Sequence, residues 1–414
     1  MAKTKALDIL IEEMGGGIWV AALERGRLEG LEFDPPEEEV RWGSIYWAKV
    51  ARIDKAQDAV FVNLDGDNIG ILYNADIRIV QDDGTYKKGG DVEIGKMLRP
   101  GQMIAVQAKS AFMPSVDEPY AKAGVKAPRV SMNITLPGRY LILSPTDPEN
   151  RISRRIRDKD LRQALQDMLR DLKECTGCIM RAAAANTQTD VLMREARILS
   201  NMWTQLQDHF NGDSPQLIMD GPDAIQRTLS DKAVKNIHRI EITTMDHFAL
   251  VEEWCDLFAP DLMTRITPVE VDNPESEFAL FEHHDITGQI EDLFQPYAIL
   301  DSGATIILQE TAALYAIDVN SAADKRGALA INLDAAAEIA RQIRLRNLGG
   351  AIIIDFLRMK KKAERDQLVK ALEQAFNEDP CTVQIHGWTG LGMLEVSRNR
   401  RMPPLQDRLD ATIA

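Results

Sequence analysis

At 414 residues the chain exceeds one ordinary domain, so several modules are expected; its 45% hydrophobic and 27% charged make-up is that of a soluble globular protein with ample core. No apolar run approaches the ~20 residues of a membrane span, and the opening MAKTKALDILIEEM, with acids inside its apolar stretch and no small-residue cleavage site, argues against a signal peptide. The net charge of −15 argues against a protein that coats nucleic acid non-specifically, though not against a local basic groove, and four cysteines suit a reducing, cytoplasmic setting.

Residues 1–36 read as a strand pair, ALDILIEE then GGIWVAALERGRLEGLEF, turning at Gly15–Gly16–Gly17 and stopping at Pro35–Pro36. From about residue 40 the texture becomes short alternating strands (SIYWAKVARI, AVFVNLD, NIGILYN, MIAVQAK) between Gly and Asp turns. That pattern suggests a small OB-type barrel. Phe61 and Tyr46 are its candidate base-stacking residues, with core packing as the alternative for each. A long Pro-containing loop, 110–129, interrupts the barrel's end. Over 130–225, strands (RVSMNITL, YLILSP) mix with amphipathic helices at 161–172 and 191–206. The lone CxxC of Cys175 and Cys178 has no second pair to complete a zinc site and reads as two ordinary thiols, while CIMRAAAAN puts Arg181 at a strand end. Residues 226–270 form another mixed segment, and 270–278 reads as a linker.

The last region carries the chemistry. In YAIDVNS, alternation puts Asp318 and Asn320 on one face of a strand that otherwise looks buried, and Ile317 and Val319 on the other. One such aspartate is usually a turn-initiating residue. A second apolar run, AIIID at 351–355, also ends on an aspartate, Asp355. DAAAEIARQIRLRN between them predicts a helix over 334–347, with Asp334 at its N-cap and Gly349–Gly350 closing it. Strand, helix, strand is a parallel unit with a right-handed crossover, so both carboxylates sit at C-terminal strand ends, where open α/β sheets place their sites. A few oxygen ligands with room for water favour magnesium, or manganese, over zinc. Basic clusters at 151–162, 341–347, 358–365 and 397–401 suggest a cationic rim, since two of them flank Asp355 in sequence.

Three blocks together resemble the catalytic half of the bacterial ribonuclease E/G family. AIDVNSAADKRG, INLDAAAEIARQIRLRNLGGAIIIDF and GLGMLEVSRNR resemble its metal-binding nuclease segment. GSIYWAKVARIDKAQDAVFVNLDGDNIGIL resembles its OB-fold RNA-binding module, and LPGRYLILSP with RISRRI its 5′-end sensor. The resemblance runs from about residue 6 to residue 402 and implies an α/β and β multidomain fold. Its parts would be an RNase H-like subdomain (1–36 and 226–284), an OB-fold RNA-binding domain (37–129), a 5′-sensor region (130–225) and a DNase I-like α/β catalytic subdomain (285–414).

The resemblance further implies that Asp318 and Asp355 are metal ligands, Asn320 a catalytic partner, Phe61 and Lys126 RNA-gripping residues, and Gly138, Ile142, Arg181 and Ala182 the 5′-phosphate pocket. The implied activity is magnesium-dependent endonucleolytic cleavage of single-stranded RNA, leaving a 5′-phosphate and a 3′-hydroxyl, in rRNA or tRNA maturation or mRNA decay. An RNA-binding protein that kept this fold without cleaving is the alternative. Some positions depart from the family: Ala182 replaces a threonine, Ile71 a second barrel aromatic, and Arg358 an acidic position after Asp355. The cysteine pair and small dimerisation domain of relatives are not in the sequence, so neither zinc nor a zinc-linked dimer is expected, and the oligomeric state is left open.

Overall fold

The computed structural model describes residues 6–81, 85–111, 127–154, 156, 158–172, 175–271 and 278–413. It divides into two compact units: residues 1–11 with 37–269, and residues 12–36 with 270–414.

The first unit contains the barrel. Strands Ile45–Asp54, Ala59–Asn63, Ile69–Tyr73, Arg129–Ser131 and Met103–Ala108 neighbour one another in that order, and Met103–Ala108 returns to pair with Ile45–Asp54, closing the sheet. Closure requires the first strand to serve two partners. Its residues 45–49 pair with Met103–Ala108, its residues 49–54 pair with Ala59–Asn63, and a bulge between Val50 and Arg52 bends it between them. Ile69–Tyr73 and Arg129–Ser131 run parallel. The interior is filled by Val50, Val60, Val62, Leu72, Val106 and Val130, with Tyr46 among them. Hence this is an OB-like five-stranded barrel.

Elsewhere in this unit, residues 6–11 pair in parallel with Asn236–Ile242, which pairs in parallel with Ile266–Pro268. A small sheet of Leu136–Pro137, Leu141–Leu143, Cys178–Met180 and Arg151–Ile152 accompanies the helices Lys159–Asp171 and Thr189–Asp208, both of which match the predicted amphipathic stripes.

The second unit is a six-stranded sheet, ordered Tyr297–Ile299, Thr305–Glu310, Leu314–Asn320, Gly350–Asp355, Leu394–Arg398 and Val383–Trp388. Only Leu314–Asn320 and Gly350–Asp355 are parallel neighbours, joined by the crossover helix Ala328–Leu345. Alternate residues (Ile306, Ile317, Val319, Ile352, Ile354, Val396) are buried in one core with Ile331, Ile339 and Ile343 of that helix and Leu368 and Leu372 of the helix Lys362–Phe376. The intervening residues face the uncovered side.

Three local expectations change. The predicted second strand of residues 1–36 is two strands, Gly17–Glu24 and Arg27–Asp34, because Arg25 and Gly26 both take positive φ and make a tight turn. The crossover helix starts at Ala328, not Asp334; its Ala-rich first turns propagate from Gly327, and Asp334 instead accepts from Arg326 at 2.6 Å. It is closed by Asn347 at φ 52°, with the Leu348 amide reaching back to the Ile343 carbonyl at 2.9 Å. Asparagine tolerates this left-handed conformation where most residues do not.

The loop after Asp355 is fixed from beneath. Asn332, fully buried on the crossover helix, donates to the Leu357 carbonyl at 2.8 Å and accepts from the Leu357 amide at 3.0 Å. Asn332→Ala strands both backbone groups, each worth about 1–3 kcal/mol when left unsatisfied. Denaturant unfolding should therefore show a loss of about 2–4 kcal/mol, and a loss under about 0.5 kcal/mol would mean that water replaces the amide.

Candidate metal centre and nucleic-acid interface

Asp318 and Asp355 are direct register partners on the two parallel strands, so their side chains leave the same face side by side. Both are exposed. The strand expected to bury Asp318 is buried on one side only: Tyr315, Ile317 and Val319 enter the core, while Asp318 and Asn320 stand on the open side. Asn320 donates its amide to Asp318 Oδ2 at 2.7 Å, which fixes that carboxylate's rotamer. No group of three or more His, Cys, Asp or Glu residues among the described residues is placed to hold a metal ion. Two carboxylates with open space around them fit magnesium or manganese, which bind through one or two carboxylates and complete their shell with water and phosphate oxygens. They do not fit a structural zinc, which takes four nitrogen or sulfur ligands. The four cysteines are buried free thiols, and burial pushes the Cys178 thiol up to about 12.

The open face carries groups that sequence reasoning passed over. Glu395 is opposite Ile353, placing it diagonal to Asp355, and His386 bonds the Ser397 hydroxyl at 2.7 Å. Register across a sheet was the missing signal, since each of these residues alone looks like any exposed strand position.

The basic rim is thinner than the sequence suggests. Arg341 donates to Glu338 and the Leu28 carbonyl, Arg344 to Glu29, and Arg346 to the carbonyls of Asp292, Gln295 and Tyr297. Arg398 is buried on Asp379 at 2.9 Å. Of the two clusters flanking Asp355, only 358–365 keeps exposed cations: Arg358, Lys360, Lys361 and Lys362.

On the barrel, Phe61 is half-buried on the outer surface with the Arg52 guanidinium 3.8 Å above its ring centroid. Its partner Ile71 is followed two residues on by Tyr73, an exposed aromatic the sequence reading missed, with Arg129 5.6 Å from its centroid. Tyr46, by contrast, is only 2% exposed. It points into the barrel because residues 46, 48 and 50 form the inward set, so it is a core residue and not a stacking one. Lys126 lies outside the described residues.

The positions predicted to form the 5′-phosphate pocket lie in or beside the small sheet. Gly138 is buried, and a Cβ there would lie 2.3 Å from Glu195 Oε1, so any side chain would have to push Glu195 off its amide partners. Ile142 is opposite Pro137 and Ile179, and Ala182 follows Arg181 at the start of a 3₁₀ turn. Arg181 is not open for a ligand: its two terminal nitrogens donate to the Gly138 carbonyl, the Ser230 hydroxyl, the Ser230 carbonyl and Asp231 Oδ1.

The barrel and the two-carboxylate sheet face define a multidomain α/β protein with a candidate oxygen-ligand metal centre. The model of the Ribonuclease E/G family matches residues 135–401, and the chain belongs to that family. It is 32% identical to Ribonuclease E of Haemophilus influenzae over 397 residues, 93% of this chain and 41% of that one. Ribonuclease E of Escherichia coli is 32% identical over 398 residues, 93% of this chain and 36% of the relative. Ribonuclease G of Haemophilus influenzae is 27% identical over 97% of this chain and 81% of its own. The chain thus spans well under half of the two ribonuclease E relatives. No helix among the described residues is long and apolar enough to cross a membrane.

Glu195 accepts from the Tyr140 and Leu141 amides, both at 2.8 Å. Burial pushes its carboxyl up to about 7, with the Leu141 and Tyr140 amides opposing. Between the ordinary 4.5 and that value the native state keeps a proton the unfolded chain has released, so this group's contribution to stability falls as pH rises through that window. Glu195→Gln keeps the acceptor and removes the titration. Its Tm relative to the unmodified protein should therefore rise from pH 5 to pH 8; a constant difference would show that Glu195 titrates normally.

Proposed function

We propose that this protein is a magnesium-dependent endoribonuclease acting on single-stranded RNA, with manganese as a possible substitute ion, and that it leaves 5′-phosphate and 3′-hydroxyl ends. The observation that carries this reading is the in-register Asp318–Asp355 pair on an uncovered sheet face. Family membership supports it, as does what relatives named Ribonuclease E and Ribonuclease G are named for.

On this reading Asp318 and Asp355 hold the ion. When bound, magnesium supplies Lewis-acid polarisation of the phosphate and acidifies a water. Asn320, by fixing the Asp318 carboxylate, keeps one oxygen directed at the site and presents its own amide beside the reacting phosphate. The exposed cations at 358–362 attract the backbone without contacting bases. On the barrel, Phe61 with Arg52, and Tyr73 with Arg129, offer rings and guanidinium planes on which unpaired bases stack. Lys126 joins that set by family resemblance. The substrates are transcripts undergoing rRNA or tRNA maturation or mRNA decay, in the cytoplasm. The finer architecture belongs to this proposal as well: an RNase H-like subdomain (1–36 and 226–284), an OB domain (37–129), a sensor region (130–225) and a DNase I-like catalytic subdomain (285–414).

Two experiments follow. Asp318→Asn and Asp355→Asn should each lower the cleavage rate of a single-stranded oligoribonucleotide by more than roughly 100-fold, the upper range for merely orienting residues. Tm without metal should hold or rise, because one of two adjacent like charges is gone. Unchanged cleavage in either variant removes the metal centre. RNA binding without cleavage in the unmodified protein would instead favour the non-cleaving alternative.

The second concerns the 5′ end. With Arg181 committed to Asp231 and Ser230, and no hydroxyl at Ala182, a 5′-phosphate must compete with a carboxylate already in place. The rate ratio for 5′-monophosphate over 5′-hydroxyl RNA should be below about 10, equivalent to about 1.4 kcal/mol. Asp231→Asn combined with Ala182→Thr should raise it. A large ratio in the unmodified protein would show that the phosphate displaces Asp231 or binds elsewhere.

A further inference from the structure

The open face of the six-stranded sheet continues past the aspartate pair to an edge that the proposed chemistry does not use. Tyr297 is opposite Ile307, Ile307 opposite Asp318, and Asp318 opposite Asp355, so these four form one row across four strands. The neighbouring row reads Ile299, Thr305, Asn320. The pleat confirms the facing: Ala298, between the two edge residues, packs on the core with Ile306 and Val319. Tyr297 and Ile299 are 44% and 66% exposed, large apolar side chains that the fold of this unit leaves in solvent. At about 4.8 Å per strand, Tyr297 stands roughly 10 Å from Asp318.

The edge is also held rigidly. The buried Arg346 guanidinium donates to the Asp292 and Tyr297 carbonyls, each at 3.2 Å, and to the Gln295 carbonyl, while its Nε donates to Gln342 at 2.7 Å. A ring presented from a pinned backbone loses little freedom when something stacks on it. A strand of only three residues offers little backbone to template pairing with a second copy of the chain. An unpaired nucleobase, in contrast, matches both the flat apolar surface and its place in the row of the carboxylates.

We infer that Tyr297, with Ile299 beside it, is a base-stacking shelf for a nucleotide adjoining the phosphate at the Asp318–Asp355 pair. This rests on the proposed reading of that pair as a phosphodiester site. The shelf takes any base, because every base has a π-face, and it takes only an unstacked one. It therefore enforces a single-stranded substrate at the cleavage site itself, independently of the barrel.

The test uses the full chain and a single-stranded oligoribonucleotide carrying one 2-aminopurine, placed at successive positions. Without added metal, one or two adjacent probe positions should be quenched in the unmodified protein and in Tyr297→Phe but not in Tyr297→Ala, while any positions quenched by the barrel rings are the same in all three. With magnesium, Tyr297→Ala should raise KM by about 5- to 100-fold, the range expected for losing one base–aromatic stack, while Tyr297→Phe stays within about twofold. Probe quenching and KM both unchanged in Tyr297→Ala overturn the shelf, as does a loss of self-association in that variant without any change in quenching. If the unmodified protein binds without cleaving, yet quenching depends on Tyr297, the shelf stands and the nuclease reading falls. Normal cleavage with no dependence on Tyr297 has the opposite meaning.

Discussion

The second unit depends on one register: Leu314–Asp318 against Ala351–Asp355, parallel and without slip. Both helices cover one side of the sheet, so the apolar set Ile317, Val319, Ile352 and Ile354 must face that way. A slip of one residue on either strand would turn an aspartate into the core and an isoleucine out. The core therefore fixes where the carboxylates stand. The two like charges stand side by side with Asn320 donating to one of them, an arrangement that favours a cation between them. Site and stability are here two consequences of one pairing.

The same economy explains the arginines. Guanidinium groups that look like a nucleic-acid rim in one dimension are the cross-links of the frame. Arg341 and Arg344 fasten the crossover helix to the hairpin strand Arg27–Asp34, Arg346 pins the edge strand, and Arg398 closes the turn at Asn347. Arg181 does likewise for Gly138 and the helix Ala224–Asp231. Each planar fork satisfies several carbonyls or a carboxylate at once, which a lysine could not do. The lysines at 360–362 stay exposed, Lys361 in an exposed pair with Glu364 at 3.3 Å.

Much of this was legible in the sequence. The barrel strands, the two amphipathic helices and the aspartate pair each follow from a local period or spacing. What was not legible depends on partners distant in the chain. Tyr46 and Phe61 look alike as aromatics in alternating strands; only the inward set of the first strand and the bulge at Val50–Arg52 decide that one is core and the other surface. Arg181 at a strand end looks free until Ser230 and Asp231, some fifty residues on, close over it. Tyr297 has no periodic signal at all in a strand of three residues, and its significance comes from the row it completes.

With a net charge of −15, and with Arg341, Arg344, Arg346 and Arg398 paired within the frame, fewer cations beside the carboxylates can exchange for phosphate counterions than the sequence clusters suggest. On the proposed reading, attraction to the RNA backbone is then shared with stacking as a source of affinity. Stacking surfaces would carry their part of it: Phe61 with Arg52 and Tyr73 with Arg129 on the barrel, and Tyr297 beside the carboxylates. Stacking of this kind is blind to sequence but not to strandedness, because a paired base keeps its faces covered. On that reading a preference for single strands would arise from accessible rings on two separate sheets, and the ion that Asp318 and Asp355 would hold is left for the one phosphate that reacts.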